Sequence, residues 1–336
     1  MQKILIITDN LKDQINGVVT TFKNIEKHAI KNNYLVDFIT PADFFYFDTP
    51  GYPEVKISIP WNIGNKIKQS NPNFIHIATE GPIGLAARIF CDQHSWKYNT
   101  SYHTKFPEFL EKIYKIPANI TYRYVRWFHK HSGRVLTTTT TMVNDLKAHG
   151  FNGDIIPWTR GVDRSIFSSE LRNKRTDRNP VLLSVGRISK EKGIDDFCQL
   201  DYPGAIKYVV GDGPYLAELR RKYPDINFVG AKTGTALAEY YANADVFVFT
   251  SRVDTFGVVI IESLAVGTPV AAYQVPGPID ILDQGVTGYM GENLKENVRI
   301  CLNLDREAVE LISQKWSWKS CWEIFRDNLI PVHQVD

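Results

Sequence analysis

The chain has 336 residues, 43% hydrophobic and 23% charged, with a net charge of +2. That balance suits a folded protein long enough for two cores and excludes disordered and fibrous chains. A charge so close to neutral, with no recognisable binding motif, argues against nucleic acid as a partner.

Lys3-Ile-Leu-Ile-Ile-Thr8 predicts a first buried strand. Gln14-Ile-Asn16-Gly17-Val18 then predicts a loop entering a helix with Val18, Phe22, Ile25 and Ala29 on one apolar face. Ile75-His-Ile-Ala-Thr-Glu80-Gly-Pro and Asn99-Thr-Ser-Tyr-His103-Thr-Lys-Phe-Pro107 predict the next two strand ends, where a doubly wound sheet collects its ligand-binding groups. Glu80 and His103 are therefore candidates, and each also suits a group satisfied by its own loop.

From Lys105 to Arg134 large apolar groups alternate with cations: Phe106, Phe109, Leu110, Ile113, Tyr114, Ile116, Tyr122, Trp127 and Phe128 among Lys105, Lys112, Lys115, Arg123, Arg126 and Lys130. Such a mixture binds anionic membrane surfaces, each cation contributing on the order of 1 kcal/mol. A packed helix pair with a solvated basic face fits it too. Phe44-Phe-Tyr-Phe47 could extend the surface. The charge is divided unevenly: residues 1–167 carry 20 Lys and Arg against 14 Asp and Glu, and the remainder is acidic.

Ser168 to Asn179 reads as a polar linker. Val181-Leu-Leu-Ser-Val-Gly-Arg187-Ile-Ser-Lys-Glu-Lys192-Gly193 follows as a strand, a turn and a helix start carrying two cations, which a solvated basic turn would also explain. Asp245-Val-Phe-Val-Phe-Thr250 predicts a buried strand, and Gly257 to Val266 a helix closed by Gly267 and Pro269. The junction Thr255-Phe256-Gly257-Val258 offers the unpaired N–H groups and positive dipole end of a first helical turn, suited to a phosphate or a sugar hydroxyl. Glu262 stands inside an otherwise apolar helix and needs a polar partner. Were the segment mostly helical, Asp254 and Glu262 would lie roughly 12 Å apart along the axis, about the reach of a nucleotide sugar. In a purely structural reading Asp254 caps the helix and Glu262 bonds a neighbouring loop.

Trp316-Ser-Trp-Lys-Ser-Cys-Trp-Glu-Ile-Phe325 predicts a last helix whose tryptophans serve packing. Cys91, Cys198, Cys301 and Cys321 have no paired spacing, which implies neither zinc site nor disulfide framework and suits a reducing cytosol. No transmembrane span or secretory leader is expected, since no run of 18 apolar residues occurs.

Asp254-Thr-Phe-Gly257 with Glu262 and Gly267-Thr-Pro-Val270, the Arg187 and Lys192 turn, Arg160-Gly-Val-Asp163 and Tyr102-His103-Thr-Lys-Phe-Pro107 together resemble the retaining glycosyltransferases of family 4. The resemblance runs over nearly the whole chain. It implies an α/β protein of GT-B fold, with two Rossmann-like domains facing a cleft: residues 1–167 on the acceptor side, a linker at 168–179, a nucleotide-sugar domain at 180–314, and a helix at 315–336 crossing back to the first domain. It assigns Glu262 to the ribose hydroxyls, Asp254 to the transferred sugar in place of the usual Glu, and Arg187 and Lys192 to the diphosphate. Gly17 would face the donor phosphates, with Asn16 where a second glycine is commoner. His103 would lie beside the transferred sugar, and Glu80 could contact the acceptor. Val209-Val-Gly-Asp-Gly213-Pro214 is similar to a second nucleotide-side loop, and Phe228-Val-Gly230-Ala231 falls beside the base by order.

A bacterial branch labelled mannosyltransferase, which includes enzymes that glycosylate diacylglycerol, shares these motifs. The expected activity is retaining, metal-independent transfer of a hexose or hexuronic acid from a nucleotide diphosphate sugar, UDP-linked by preference, to a membrane lipid. The expected location is cytoplasmic, at the inner face of the cell membrane. The alternatives are a GDP-mannose-dependent alpha-mannosyltransferase acting on a glycolipid or polysaccharide and a catalytically silent nucleotide-sugar-binding module.

Overall fold

The computed structural model describes residues 1–14, 16–49, 52–174 and 179–333, leaving aside the side chains of residues 52–55, 109 and 112–114. Its contacts divide the chain into two units, one of Met1–Arg160 with Trp318–Asp336, the other of Gly161–Ser317.

The first unit is built on strands β1 (Gln2–Ile7), β2 (Tyr34–Ile39), β5 (Phe74–Ile77), β6 (Asn99–Tyr102), β7 (Val135–Thr137) and β8 (Ile155–Pro157). They pair in parallel in the order β2-β1-β5-β6-β7-β8. A separate antiparallel hairpin joins β3 (Phe45–Thr49) to β4 (Tyr52–Ile59). Parallel strands need crossover helices, here α1 (Gly17–Lys31), α2 (Ile63–Ser70), α3 (Pro82–Gln93), α4 (Phe106–Tyr114), α5 (Ala118–His129) and α6 (Thr140–Ala148). Strand alternation sends Leu5 and Ile7 into a core with α2 and α3, and Ile4 and Ile6 into a second core with α1. Asn16 caps α1 by accepting the Val19 N–H at 2.9 Å, and the helix buries Val19, Phe22, Ile25 and Ala29, with Val18 only partly covered.

In the second unit β9 (Val181–Val185), β10 (Ile206–Val210), β11 (Asn227–Gly230), β12 (Val246–Phe249), β13 (Val270–Ala272) and β14 (Gly288–Met290) form another all-parallel sheet, ordered β11-β10-β9-β12-β13-β14. Helices α7 (Ile194–Gln199), α8 (Leu216–Lys222), α9 (Gly234–Asn243), α10 (Val258–Ala265), α11 (Pro278–Ile281), α12 (Leu294–Cys301) and α13 (Arg306–Ile312) cover it. Leu183, Phe247 and Phe249 pack with α9 and α10 on one face, and Leu182, Val246 and Val248 with α7 and α12 on the other.

The last helix, α14 (Trp318–Asp327), returns to the first unit and buries Trp318, Cys321, Trp322 and Phe325 beside α1. Trp158 Nε1 donates to the Cys321 carbonyl at 2.9 Å and fixes that return. The division between units falls upstream of the expected boundary at 167, because Val162 and Phe167 are core residues of the second unit. Trp316 also stays with the second unit, its ring 5.6 Å from Phe256. The expected linker begins as a short turn, Ser169–Leu171, and Asn173 N–H donates to Asn243 Oδ1 at 2.8 Å; residues 175–178 lie outside the described residues.

Asp9, just past β1, organises the start of α3. Its carboxylate accepts from Thr79 Oγ1 at 2.6 Å, Ile83 N–H at 2.8 Å and Gly84 N–H at 3.4 Å. Burial raises this carboxyl to about 6, and the three donors work against the rise. A Cβ on Gly81 would meet Asp9 Cγ at 2.5 Å, so the glycine is required by the cap itself. Asp9→Ala is expected to cost about 1–2 kcal/mol in denaturant unfolding. Gly81→Ala should destabilise the wild type yet add little in the Asp9→Ala background; additive costs would contradict this packing.

Candidate functional site

In the second unit β10 lies on one side of β9 and β12 on the other, so the strand order reverses between β9 and β12. Open parallel sheets bind ligands outside the carboxyl ends of the strands at such a reversal. Lys192 ends the turn after β9 and Asp254 lies in the loop after β12, and Lys192 Nζ meets Asp254 Oδ1 at 2.5 Å. Both side chains are about one quarter exposed, at 26% each. Thr250 Oγ1, at the end of β12, donates to the Lys192 carbonyl at 2.9 Å and ties the two loops a second time. Arg187 follows β9 on the same loop and is exposed to solvent.

The helix predicted from Gly257 to Val266 forms as Val258–Ala265, so the segment from Asp254 to Glu262 is helical only in its second half. Gly257, at φ +86°, is the N-cap and turns the chain into α10, which begins at Val258, so Asp254 precedes the helix and the axial spacing of about 12 Å does not apply. Thr255 and Phe256 are buried and Val258 half-buried, the last two packed on the second unit's core. Glu262 finds its partner on a neighbouring helix and not on a loop: Tyr241 of α9 donates its hydroxyl to Glu262 Oε2 at 3.1 Å. Burial among apolar groups raises the Glu262 carboxyl to about 7, and the Tyr241 bond works against that rise. Gly213 is explained by packing, since a Cβ there would lie 2.3 Å from the Ile188 carbonyl oxygen of the β9 loop. Ala231 is exposed beyond β11.

In the first unit Asn16 serves as the α1 cap, and a Cβ built on Gly17 would meet nothing within 4 Å. His103 follows β6 and packs edge-on to Phe22, with ring centroids 5.9 Å apart. Arg160 Nη2 donates to His103 Nδ1 at 2.9 Å. The histidine is held well below its ordinary pKa, first by burial and then by the neighbouring guanidinium. Glu80 is engaged internally: His129 Nε2 lies 3.2 Å from its Oε1, and Tyr124 donates to its carbonyl at 2.6 Å.

The aromatic and basic segment divides between core and surface. Tyr122, Val125 and Phe128 of α5 are buried, Phe106 is partly buried, and Lys105 pairs with Asp145 at 3.3 Å. Lys115, Ile116, Ile120, Arg123, Arg126 and Trp127 face outward, with Trp127 45% exposed. Arg126 Nη1 donates to the His149 carbonyl at 2.8 Å, and Arg88 lies over the Trp127 ring at 3.8 Å. The side chains of Phe109, Lys112, Ile113 and Tyr114 lie outside the described residues. Phe44 is buried, while Phe45, Phe47 and Ile59 of the hairpin and the adjacent Trp61 are exposed. No helix among the described residues is long and apolar enough to cross a membrane.

Arg160, Tyr241 and His129 were not singled out as site residues from the sequence. Each acquires its place through a partner distant in the chain, and the local signal in the sequence was the Arg160-Gly-Val-Asp163 motif.

The family model for glycosyl transferases group 1 matches residues 168–297, and that for glycosyltransferase family 4 matches residues 15–166. A GDP-mannose-dependent alpha-mannosyltransferase of Corynebacterium glutamicum is 28% identical, over 86% of this chain and 76% of its own length. An alpha-monoglucosyldiacylglycerol synthase of Streptococcus pneumoniae is 26% identical, over 87% and 76%. The crystal structure of HepE from Anabaena in complex with UDP and glucose superimposes with a TM-score of 0.72 at 16% identity, covering 97% of this chain and 99% of that one, and so shares its fold. With both of its halves matched and two Rossmann-like parallel sheets in place, the chain belongs to the family 4 glycosyltransferases of GT-B fold.

Proposed function

We propose that this glycosyltransferase moves a hexose or hexuronic acid from a UDP-sugar to a membrane lipid, diacylglycerol by preference, with retention and without a metal ion. The observation that carries the donor half is the Lys192–Asp254 pair at the strand reversal, with Glu262 one helix away. Lys192 and Arg187 take the diphosphate, whose charge grows as the C1–O bond breaks, and fixed cations there stabilise the transition state. Asp254 and His103 attend the sugar, Glu262 the ribose hydroxyls, Gly17 the phosphates, and the backbone of Thr255 to Val258 the α10 end. Gly213 shapes the β9 loop, and Ala231 adjoins the base. The acceptor hydroxyl attacks C1 on the face the phosphate leaves, and the departing phosphate takes its proton, so the step needs no protein nucleophile.

The lipid acceptor rests on the outward face of α5, where Ile120, Arg123 and Trp127 stand together, and on the name of the Streptococcus relative. That surface supports peripheral docking to an anionic membrane, which this reading puts at the inner face of the cell membrane. The Corynebacterium relative, named for GDP-mannose, supports the second reading, a mannosyl donor.

Incubation with UDP-glucose, UDP-glucuronate or GDP-mannose and diacylglycerol-containing anionic vesicles, read by mass spectrometry, is expected to give a glycosyl-diacylglycerol from a UDP-sugar. A mannosyl product would establish the second reading, and donor turnover without a lipid product would remove the lipid acceptor. Arg123→Ala should weaken vesicle binding about fivefold, at about 1 kcal/mol per cation.

Glu262 gives a pH signature. Ribose hydroxyls donate to the charged carboxylate, so binding releases a proton from a group standing at about 7 in the free protein. Affinity for UDP therefore rises as pH approaches 7 and levels off above it. The raised pKa also means that the folded chain holds this proton more tightly than the unfolded one. That contribution to stability is full below the ordinary carboxylate range and is lost as pH rises through about 7. Calorimetry of UDP binding in buffers of different ionisation heat should show proton release in the wild type and none in Glu262→Gln; equal release in both would contradict the assignment.

A further inference from the structure

Arg160 is 3% exposed, and among the described residues its hydrogen bonds go to two carbonyls and a histidine and to no carboxylate. Nη1 donates to the carbonyls of Trp158 at 2.7 Å and Thr159 at 3.0 Å, Nη2 donates to His103 Nδ1 at 2.9 Å, and the guanidinium lies over the Trp158 ring at 4.5 Å. Burying a cation without an anion is costly. Two carbonyls and a ring face offset part of that cost. The remaining bond is the informative one.

A guanidinium has donors only, and an imidazole nitrogen that receives one must present its lone pair. His103 Nδ1 therefore carries no proton, and in a neutral ring the proton sits on Nε2. A second proton on Nδ1 would destroy the bond and set two buried cations side by side. Among the described residues, Phe22 of α1 and Trp158 meet this ring with aromatic faces, and His76 of β5, pushed down to about 3 by burial and by Arg160, is neutral. His129 of α5 also bears on the ring, and Cys321 of α14 lies beside Arg160 with its thiol pushed up to about 12 by burial.

We propose that Arg160 is a positioning residue that locks His103 as the neutral Nε2–H tautomer, making it a permanent hydrogen-bond donor to an oxygen of the transferred sugar and removing it from proton transfer. The role of that donor rests on the reading that His103 meets the sugar; the lock itself does not.

In protein labelled with ¹⁵N-histidine, long-range ¹H–¹⁵N correlation should give the His103 ring, assigned by its loss in His103→Gln, a bare Nδ1 and a protonated Nε2 that stay unchanged from about pH 5.5 to 8.5. Titration of that ring, or an Nδ1–H pattern, in the wild type overturns the lock. Arg160→Met should let His103 titrate or mix tautomers, lower kcat at least tenfold with little change in KM, and give kcat a new acid limb; Arg160→Lys, which keeps a donor, should restore the wild-type pattern in part. A variant that folds, loses turnover and keeps the wild-type His103 spectrum contradicts the proposal. If Arg160→Met does not fold, the wild-type spectrum alone decides. If the spectrum is as stated but His103→Gln turns over normally, the lock stands and the sugar contact on which its role depends is removed.

Discussion

The ion pair between Lys192 and Asp254 spans the one place in the second sheet where the strand order reverses. Sixty-odd residues of sheet and helix separate the partners in the chain, and the fold brings them together because β9 and β12 are adjacent parallel strands whose loops leave the same edge. An ion pair this exposed contributes about 1 kcal/mol or less to stability. Its value is positional: it holds a cation and a carboxylate at the carboxyl edge, and the cation is already neutralised until an anionic ligand competes for it. Glu262 completes the arrangement on a different principle. It has a tyrosine hydroxyl and an apolar surround in place of a counter-ion, which leaves it ready to accept hydroxyl donors.

Two buried charged groups of the first unit are held by hydrogen bonds. Asp9 is held by a threonine hydroxyl and two helix-end N–H groups, and Arg160 by two carbonyls, an indole face and a histidine. Both lie next to strand ends, so the loops that follow β1, β5 and β6 are shaped by groups whose removal would leave buried donors or acceptors unpaired. The Glu80–His129 contact belongs to the same set and gives Glu80 an internal partner.

Much of the fold was legible because its strands are short apolar runs between turn residues, as in the first strand and in Asp245 to Thr250. The start of α10 and the Glu262 position within it were legible for the same reason. The partners were not. Nothing local announces that Tyr241 will reach Glu262, or that Trp158 and Cys321 will enclose Arg160, since those contacts are made by packing of distant elements. The Lys105 to Arg134 segment reads from sequence either as a membrane surface or as a packed helix pair with a solvated basic face, and the helical period of α5 turns Tyr122, Val125 and Phe128 inward and leaves Arg123 and Trp127 outside. The two family models meet at 166 and 168, where the polar run begins, while packing divides the units after Arg160 because Val162 and Phe167 belong to the second core.

The most direct test of the account is steady-state transfer by Asp254→Asn compared with wild type, alongside denaturant unfolding of both. The account predicts a loss of turnover of about 10²-fold or more, as for removal of a group that acts on transition-state charge, with an unfolding free energy changed by about 1 kcal/mol or less. Unchanged turnover, or a loss of stability large enough to explain the lost activity, would contradict it.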